Sequence, residues 1–482
     1  VCDKSDALGI VVIGASGDLA RKKIYPALFA LYCQGFLPDG FHVFGFARSK
    51  FSLSEFRTRI TEHLTCRYAP GESCEQRMGE FLDRCHYISG DYGSRDSFLD
   101  LYTKMRDVEG SRPGNRLYYL AIPPAIFLDV ARSIGNAGLV SCTTDDPWSH
   151  VVLEKPFGHD RESSDALAEA MSEVFLENQT YRIDHYLGKE VIQNLMVLRF
   201  ANLVFEPIWN HDYIDSVRIL WKEDLSLEGR GGYFDQYGII RDVMQNHLLQ
   251  ILALVAMERP EELDSKHIAS AKAAVLRCAE PVKLDDMVIG QYHESVRSGR
   301  RFPAYVEDET VADDSITPTF AAARLQIDNP RWGGVPFLIQ AGKGLNARMT
   351  EIQIRFRDTP GNMFQLPEGC SRANELTIRV QPDEAIYLSV LNKVPGMGMS
   401  LAKRNLDLQY KAAFSELIPD AYESLLLDVI RGDRSLFIRK DELQAAWDVF
   451  TPALHEIENR KLVPEAYEFG SAGPAAARDM FS

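Results

Sequence analysis

Ile10, Val11, Val12 and Ile13 form an unbroken apolar run, followed by a glycine turn and a helical stretch through Gln34. Short apolar runs recur at 42–46 (HVFGF), 117–121 (LYYLA) and 150–153 (HVVL), with helical stretches between them. Runs of this length fit strands covered on both faces, and their alternation with helices predicts a parallel, doubly wound sheet. After about residue 180 the pattern changes. Ile352, Ile354 and Phe356 alternate with Gln353, Arg355 and Arg357; Leu376, Ile378 and Val380 repeat the alternation, and after a PDE turn so do Ile386, Leu388 and Val390. Alternation predicts a mainly antiparallel sheet with one packed face. Helices are expected at about 187–200, 239–257, 420–430 and 440–459. The chain therefore divides into an α/β unit over 1–180 and a larger α+β unit over 181–482.

Composition narrows the function. The net charge is −16, from 53 basic and 69 acidic residues, which argues against a nucleic-acid partner. No stretch approaches the roughly 20 apolar residues of a membrane span. An acidic chain that binds a phosphorylated ligand needs a local cluster of cations, so the search turns to such clusters. Eight cysteines (2, 33, 66, 74, 85, 142, 278 and 370) contain no CxxC pair and are expected as reduced thiols, with Cys66, Cys74 and Cys85 close enough in sequence to permit a regulatory disulfide. A cytoplasmic setting follows from that thiol usage. The chain begins at Val1, so targeting signals are not assessed.

The segment Gly14-Ala15-Ser16-Gly17-Asp18-Leu19-Ala20 follows the first apolar run and opens a helix, with Arg21 and Lys23 just beyond. Glycines there allow close approach of a pyrophosphate, and the helix start supplies free N–H groups, so the first unit reads as a Rossmann-like coenzyme domain. The pattern is GxxGDLA, a loose fit to GxGxxG; a tight turn with an early-helix acid is the plainer alternative. The second run ends in Arg48 and Lys50 with no acid for a ribose 2′-hydroxyl, which predicts NADP in preference to NAD.

Three further segments carry candidate chemistry. Glu154-Lys155-Pro156-Phe157-Gly158 follows a strand whose end should face the ligand crevice, and Pro156 is a candidate for a cis bond. RIDHYLGKE at 182–190 gathers Asp184, His185, Tyr186 and Lys189 before a helix bearing Val191, Ile192, Leu195, Met196 and Leu198, an arrangement suited to an anion. Positions 240, 243, 244, 247, 248, 251, 252 and 255 form one helical stripe in which His247 is the only non-apolar residue. A histidine so placed is a satisfied core residue more often than a base, yet an imidazole held by a carboxylate is a good base near neutral pH. No metal site is expected.

Together GASGDLA (14–20), EKPFG (154–158), RIDHYLGKE (182–190) and DVMQNH (242–247) resemble the glucose-6-phosphate 1-dehydrogenase family, as do EGRGGYFD (228–235), PFLIQAGKG (336–344), RVQPDEA (379–385) and FTPALHEIE (450–458). The resemblance implies oxidation of glucose 6-phosphate at C1 with hydride transfer to NADP+, the first step of the oxidative pentose phosphate pathway. It implies His247 as base, Asp184 as its carboxylate partner, His185, Tyr186 and Lys189 as phosphate ligands, and Lys155 between substrate and nicotinamide. Lys343 adds a cation, Glu223, Asp242 and Gln381 bond the sugar hydroxyls, and a homodimer or homotetramer forms through the large sheet. The nearest alternative, an oxidoreductase of the glucose–fructose oxidoreductase type, lacks the RIDHYLGKE cluster.

One departure stands out. Many eukaryotic members carry a second, structural NADP on the large sheet, lined by Arg and Lys. At the matching places stand Gln340, Met349, Gln353, Ser389 and Ala472, with Arg379 and Tyr387 remaining, so one NADP per subunit is expected. The sequence also stops at Ser482, before the basic, aromatic tail common in the family.

Overall fold

The computed structural model describes all residues except 1–6, 69–70, 72, 111–113, 142–146, 228, 362, 365–371 and 482. Cys2, Cys142 and Cys370 lie outside the described residues.

The first six strands are β1 (Ala7–Ile13), β2 (Gly40–Ala47), β3 (Cys85–Ser89), β4 (Asn115–Leu120), β5 (Ser149–Leu153) and β6 (Thr180–Arg182). They form one parallel sheet in the order β3-β2-β1-β4-β5-β6, the Rossmann-type order. The expected runs are β1, β2, β4 and β5, each almost wholly buried, because helices cover both faces. Two strands had no signal. β3 is an edge strand with only Cys85 buried, and β6 has three residues.

The second sheet has nine strands: β7 (Ile214–Lys222), β8 (Met287–His293), β11 (Phe320–Leu325), β12 (Phe337–Gly342), β13 (Met349–Phe356), β14 (Glu375–Gln381), β15 (Ala385–Lys393), β16 (Leu401–Gln409) and β17 (Glu465–Glu468). β9 (Ser295–Arg297) and β10 (Arg300–Phe302) form a separate hairpin. The order is β16-β15-β14-β13-β7-β12-β11-β8-β17, antiparallel except at β7–β12 and β8–β17. In β14 the expected alternation holds along its length, with Leu376, Ile378 and Val380 buried. The fold is thus the expected Rossmann-like sheet followed by a larger, mainly antiparallel one.

Two helical segments depart from α geometry. Ala20–Ile24 and Ile240–Leu248 are wide turns with i→i+5 bonds, the Tyr25 N–H reaching the Ala20 carbonyl and the Leu249 N–H that of Met244. Such widening is rare and concentrates at functional sites. Beyond the second, the helix Leu249–Ala256 is buried at every position.

The expectation of reduced thiols needs correction. Cys66 and Cys74 are joined in a disulfide, while Cys33, Cys85 and Cys278 are free. Cys74 lies in the first turn of the helix Ser73–Asp83, its Cα 5.7 Å from that of Cys66, a proximity that spacing alone permits but does not fix.

Candidate active site

The catalytic candidates meet where the two sheets adjoin. β5 ends at Leu153, so Glu154 and Lys155 emerge at the carboxyl edge of the parallel sheet, and the Lys155–Pro156 bond is cis as anticipated. β6 delivers Arg182, after which residues 184–189 form turns, and the helix Glu190–Phe200 begins with Lys189 as N-cap. His185 and Tyr186 therefore sit in a turn ahead of the helix.

His247 reaches this turn. Its Nδ1 lies 2.6 Å from Oδ1 of Asp184, which also accepts the Tyr186 N–H at 2.9 Å. Both residues are buried. Burial by itself raises the Asp184 carboxyl, but the His247 imidazole and its hydrogen bond, together with His185, bring it down to about 2. An ionised carboxylate only accepts, so Nδ1 carries a proton, and in the neutral imidazole the lone pair is then on Nε2.

The wide turn places a second group beside the histidine. In an α-helix, residues five apart diverge by about 140° around the axis. With i→i+5 bonding they come onto one face, and Asp242 and His247 both line the same pocket. Asp242 accepts from Nζ of Lys155 at 2.6 Å, and its backbone carbonyl does so at 2.8 Å. Desolvation opposes both charges, but each partner favours the charged form of the other, so the lysine is shifted up and the aspartate down.

The pocket holds roughly 310 Å³ and is shared by both sheets. Its lining includes Lys155, His185, Tyr186, Glu223, Asp242, His247, Lys343 and Gln381, every substrate candidate except Lys189. Lys343 donates to Glu223 at 2.8 Å. Lys189 lies just behind the lining, 3.4 Å from Oε1 of Gln381 and 5.3 Å above the Tyr186 ring. Trp221 Nε1 donates to the Tyr186 hydroxyl at 2.6 Å, and burial pushes that phenol up to about 12. Burial and the neighbouring His247, Lys155 and Lys189 hold His185 well below its usual range, hence neutral.

Sequence reasoning missed Arg230, Tyr233 and Arg348, which also line the pocket. Arg230 and Tyr233 lie within the quoted EGRGGYFD, and Arg348 stands five residues after Lys343, but neither the five-residue helix Gly231–Asp235 nor a loop is long enough to carry a periodicity that marks them. Asp184, His185 and His247 also present ligand-capable atoms within 4.8 Å of one another. The adjacent Lys155 and Lys189 disfavour a cation there.

The cofactor candidates gather at the ends of β1 and β2. Gly14 and Ala15 donate to the Phe46 carbonyl, and the Ser16 hydroxyl lies 3.2 Å from that of Ser49. Gly14 has φ +87°, and a Cβ there would lie 2.2 Å from the Ala121 carbonyl oxygen, so the turn admits glycine alone. Gly17 donates to the Gly14 carbonyl at 2.9 Å. Arg48 follows β2 directly, its guanidinium 5.3 Å from the Tyr92 ring centroid. A glycine cradle with the Arg48 cation and no acid at the end of β2 fits a dinucleotide bearing a 2′-phosphate. Asp18 instead pairs with Lys22 and Arg21, both at 2.7 Å, whose hydrogen bonds lower it to about 2. Leu19 is half-buried against the core, and Lys23 turns away to Asp420.

Residues 11–194 match the profile described as "Glucose-6-phosphate dehydrogenase, NAD binding domain", and 196–482 match "Glucose-6-phosphate dehydrogenase, C-terminal domain". The chain belongs to the glucose-6-phosphate dehydrogenase family. It is 54% identical over 478 residues to glucose-6-phosphate 1-dehydrogenase 3, chloroplastic, of Arabidopsis thaliana, covering 98% of this chain and 79% of that protein. Identity to the cytoplasmic isoform of Solanum tuberosum is 46%, over 99% of this chain and 91% of that one. A solved glucose-6-phosphate dehydrogenase in complex with its substrate glucose-6-phosphate superposes with a TM-score of 0.91 at 41% identity, covering 98% and 97%. The reaction is that of the glucose-6-phosphate dehydrogenase family: glucose 6-phosphate is oxidised, NADP+ is the cofactor, and the step opens the oxidative pentose phosphate pathway.

Proposed function

We propose that the Asp184–His247 pair carries the C1 oxidation, with the sugar phosphate held between Lys155 and the 185–189 turn. The observation that carries this reading is the 2.6 Å contact of an ionised, buried carboxylate with the imidazole of a residue that lines the pocket. As the C1–O double bond forms, the hydroxyl proton passes to Nε2 of His247. Asp184 balances the resulting imidazolium and keeps its ring oriented. NADP+, when bound, supplies the carbon that accepts the hydride. Lys155 holds its ammonium at the strand end through Asp242, between the sugar and the glycine turn. Glu223, Asp242 and Gln381 offer acceptors to sugar hydroxyls, while His185, Tyr186, Lys189 and Lys343 supply donors to the phosphate. The coenzyme part is taken as 1–180 and the substrate and oligomerisation part as 181–482. Assaying glucose 6-phosphate against free glucose with NADP+ tests the reading; equal kcat/KM for the two sugars would sink the phosphate end.

Arg48→Ala is expected to raise KM for NADP+ by about ten- to a hundredfold while KM for NAD+ moves less than about threefold. Parallel losses for both nucleotides would remove Arg48 from the 2′-phosphate. On the outer sheet, Arg379 is already engaged, 2.9 Å from Glu351 and 5.0 Å from the Tyr387 ring centroid. Calorimetry should therefore find one NADP+ per subunit, and two tight sites would overturn this.

A homo-oligomer through the large sheet is supported by β16, which among the described residues pairs only with β15 and exposes Leu406 and Leu408, with Met397 and Met399 exposed in the turn that precedes it. An uncovered apolar edge of this kind is normally protected by association. Sedimentation at micromolar protein should show a dimer or tetramer, and a monomer would count against it. As for compartment, the greater similarity to a relative named chloroplastic favours an organellar form over the cytoplasmic one expected from thiol usage. Imaging the tagged natural protein decides between them. Among the described residues no helix is long and apolar enough to cross a membrane.

A further inference from the structure

The turn bearing His185, Tyr186 and Lys189 has a back wall. A Cβ on Gly188 would lie 2.6 Å from the Ala421 carbonyl oxygen and 3.0 Å from Cγ of Leu425, so the turn packs against the helix Ala421–Arg431 without room for a side chain. The first turn of that helix is capped by Asp420, which accepts the Tyr422 N–H at 3.0 Å. From there Tyr422 reaches three parts of the molecule. Its ring lies nearly parallel to that of His185, at 9° with centroids 6.1 Å apart. Its hydroxyl neighbours Glu154, the buried carboxyl preceding Lys155, which accepts the Tyr119 hydroxyl at 2.5 Å. Its ring also faces Nζ of Lys23 at 6.0 Å, and Lys23 is paired with Asp420 at 2.9 Å. Tyr422 itself is buried and does not line the substrate pocket.

We infer that Tyr422 is a positioning residue for His185, fixing the imidazole at the phosphate end and tying it to the strand end that carries Lys155. The inference rests on the proposed role of His185 as a phosphate ligand. Orientation matters here because a neutral imidazole donates from one nitrogen only, and the χ2 torsion that aims it is intrinsically broad. The burial and neighbouring cations that keep His185 neutral leave it with a single N–H to direct. An offset, near-parallel aromatic neighbour restricts that torsion. The Lys23 ammonium over the ring and the close packing of this helix against Gly188 hold the neighbour still, so the ring acts as a fixed rail and not as loose packing.

Two substitutions separate the ring from its hydroxyl. Tyr422→Leu is expected to raise KM for glucose 6-phosphate about tenfold with kcat within about threefold, while kcat/KM for free glucose, which has no phosphate, changes by less than about twofold. Tyr422→Phe retains the ring and should restore KM to within about threefold of the unsubstituted enzyme. His185→Ala should raise the same KM, and adding Tyr422→Leu to it should cost nothing more, since both act through one contact. The inference is overturned if Tyr422→Leu leaves that KM unchanged, or if it lowers kcat/KM for the two sugars in equal proportion. Multiplying effects in the double variant, or a Phe variant as impaired as the Leu one, would do the same. If instead His185→Ala and Lys189→Ala both leave KM for glucose 6-phosphate untouched, the phosphate-site reading itself fails.

Discussion

Replacing His247 with Asn lowers kcat by about a thousandfold while leaving KM for glucose 6-phosphate within a few-fold, the signature of a lost general base. The side chain is buried and holds no phosphate, so ground-state binding loses little when it is shortened. The chemical step loses its proton acceptor. Neither lysine can substitute: Lys155 is held protonated by Asp242, and Lys343 is paired with Glu223. The pocket's remaining carboxylates, Asp242 and Glu223, are the ion-pair partners of those lysines, which makes them weak proton acceptors while leaving lone pairs for the sugar hydroxyls. The amide of Asn is small enough to fit and can still donate to Asp184, which keeps that carboxylate satisfied and the fold intact. Steady-state kinetics, with binding of the sugar phosphate measured separately, checks both halves. A kcat within tenfold of the unsubstituted enzyme would remove His247 from the role.

How much of this was legible in the chain depends on where each signal arises. β1, β2, β4 and β5 were readable because strands buried on both faces need continuous apolar runs. β3 was not, since Cys85-His86-Tyr87-Ile88-Ser89 lies at a sheet edge and buries only its first residue. The stripe through 240–255 correctly marked a packed helix, but a 3.6-residue period turns Asp242 away from His247; the wide turn that aligns them is a tertiary outcome with no local pattern. The two halves of the base pair stand 63 residues apart, and the residues alone gave His247 no partner. Only the family resemblance joined it to Asp184. Gly188 was likewise silent: its reason for being glycine is a helix that arrives more than two hundred residues later. The Cys66–Cys74 bond overturned the thiol expectation because a disulfide follows from chain path, not from spacing.

Asp184→Asn should lower kcat by roughly a thousandfold or more, although it changes neither the size of the side chain nor, to first order, the shape of the pocket. An ionised Asp184 leaves the neutral imidazole one tautomer, Nδ1–H towards the carboxylate and a free lone pair on Nε2. An amide offers both an oxygen and an N–H. If the N–H turns to Nδ1, the ring proton moves to Nε2, where it blocks the position that must accept from the sugar. If the oxygen turns to Nδ1, the tautomer is right but no negative charge offsets the imidazolium formed in the transition state. Either arrangement loses rate, and the second loses it without changing substrate affinity. The folded-state pKa of Asp184, about 2 against an ordinary 3.8, is depressed. Its contribution to stability is therefore fully present above the ordinary value and is lost as pH falls towards 2. Across the neutral range it is always charged, so its titration adds nothing to the pH profile of the unsubstituted enzyme between pH 6 and pH 8. The Asn variant should also lose the acid-range stability that the charged pair supplies, which thermal unfolding followed from about pH 5 downwards would register as a flatter profile. An Asp184→Asn enzyme that keeps a tenth or more of its kcat would mean that the carboxylate merely buttresses the turn, and that His247 works without it.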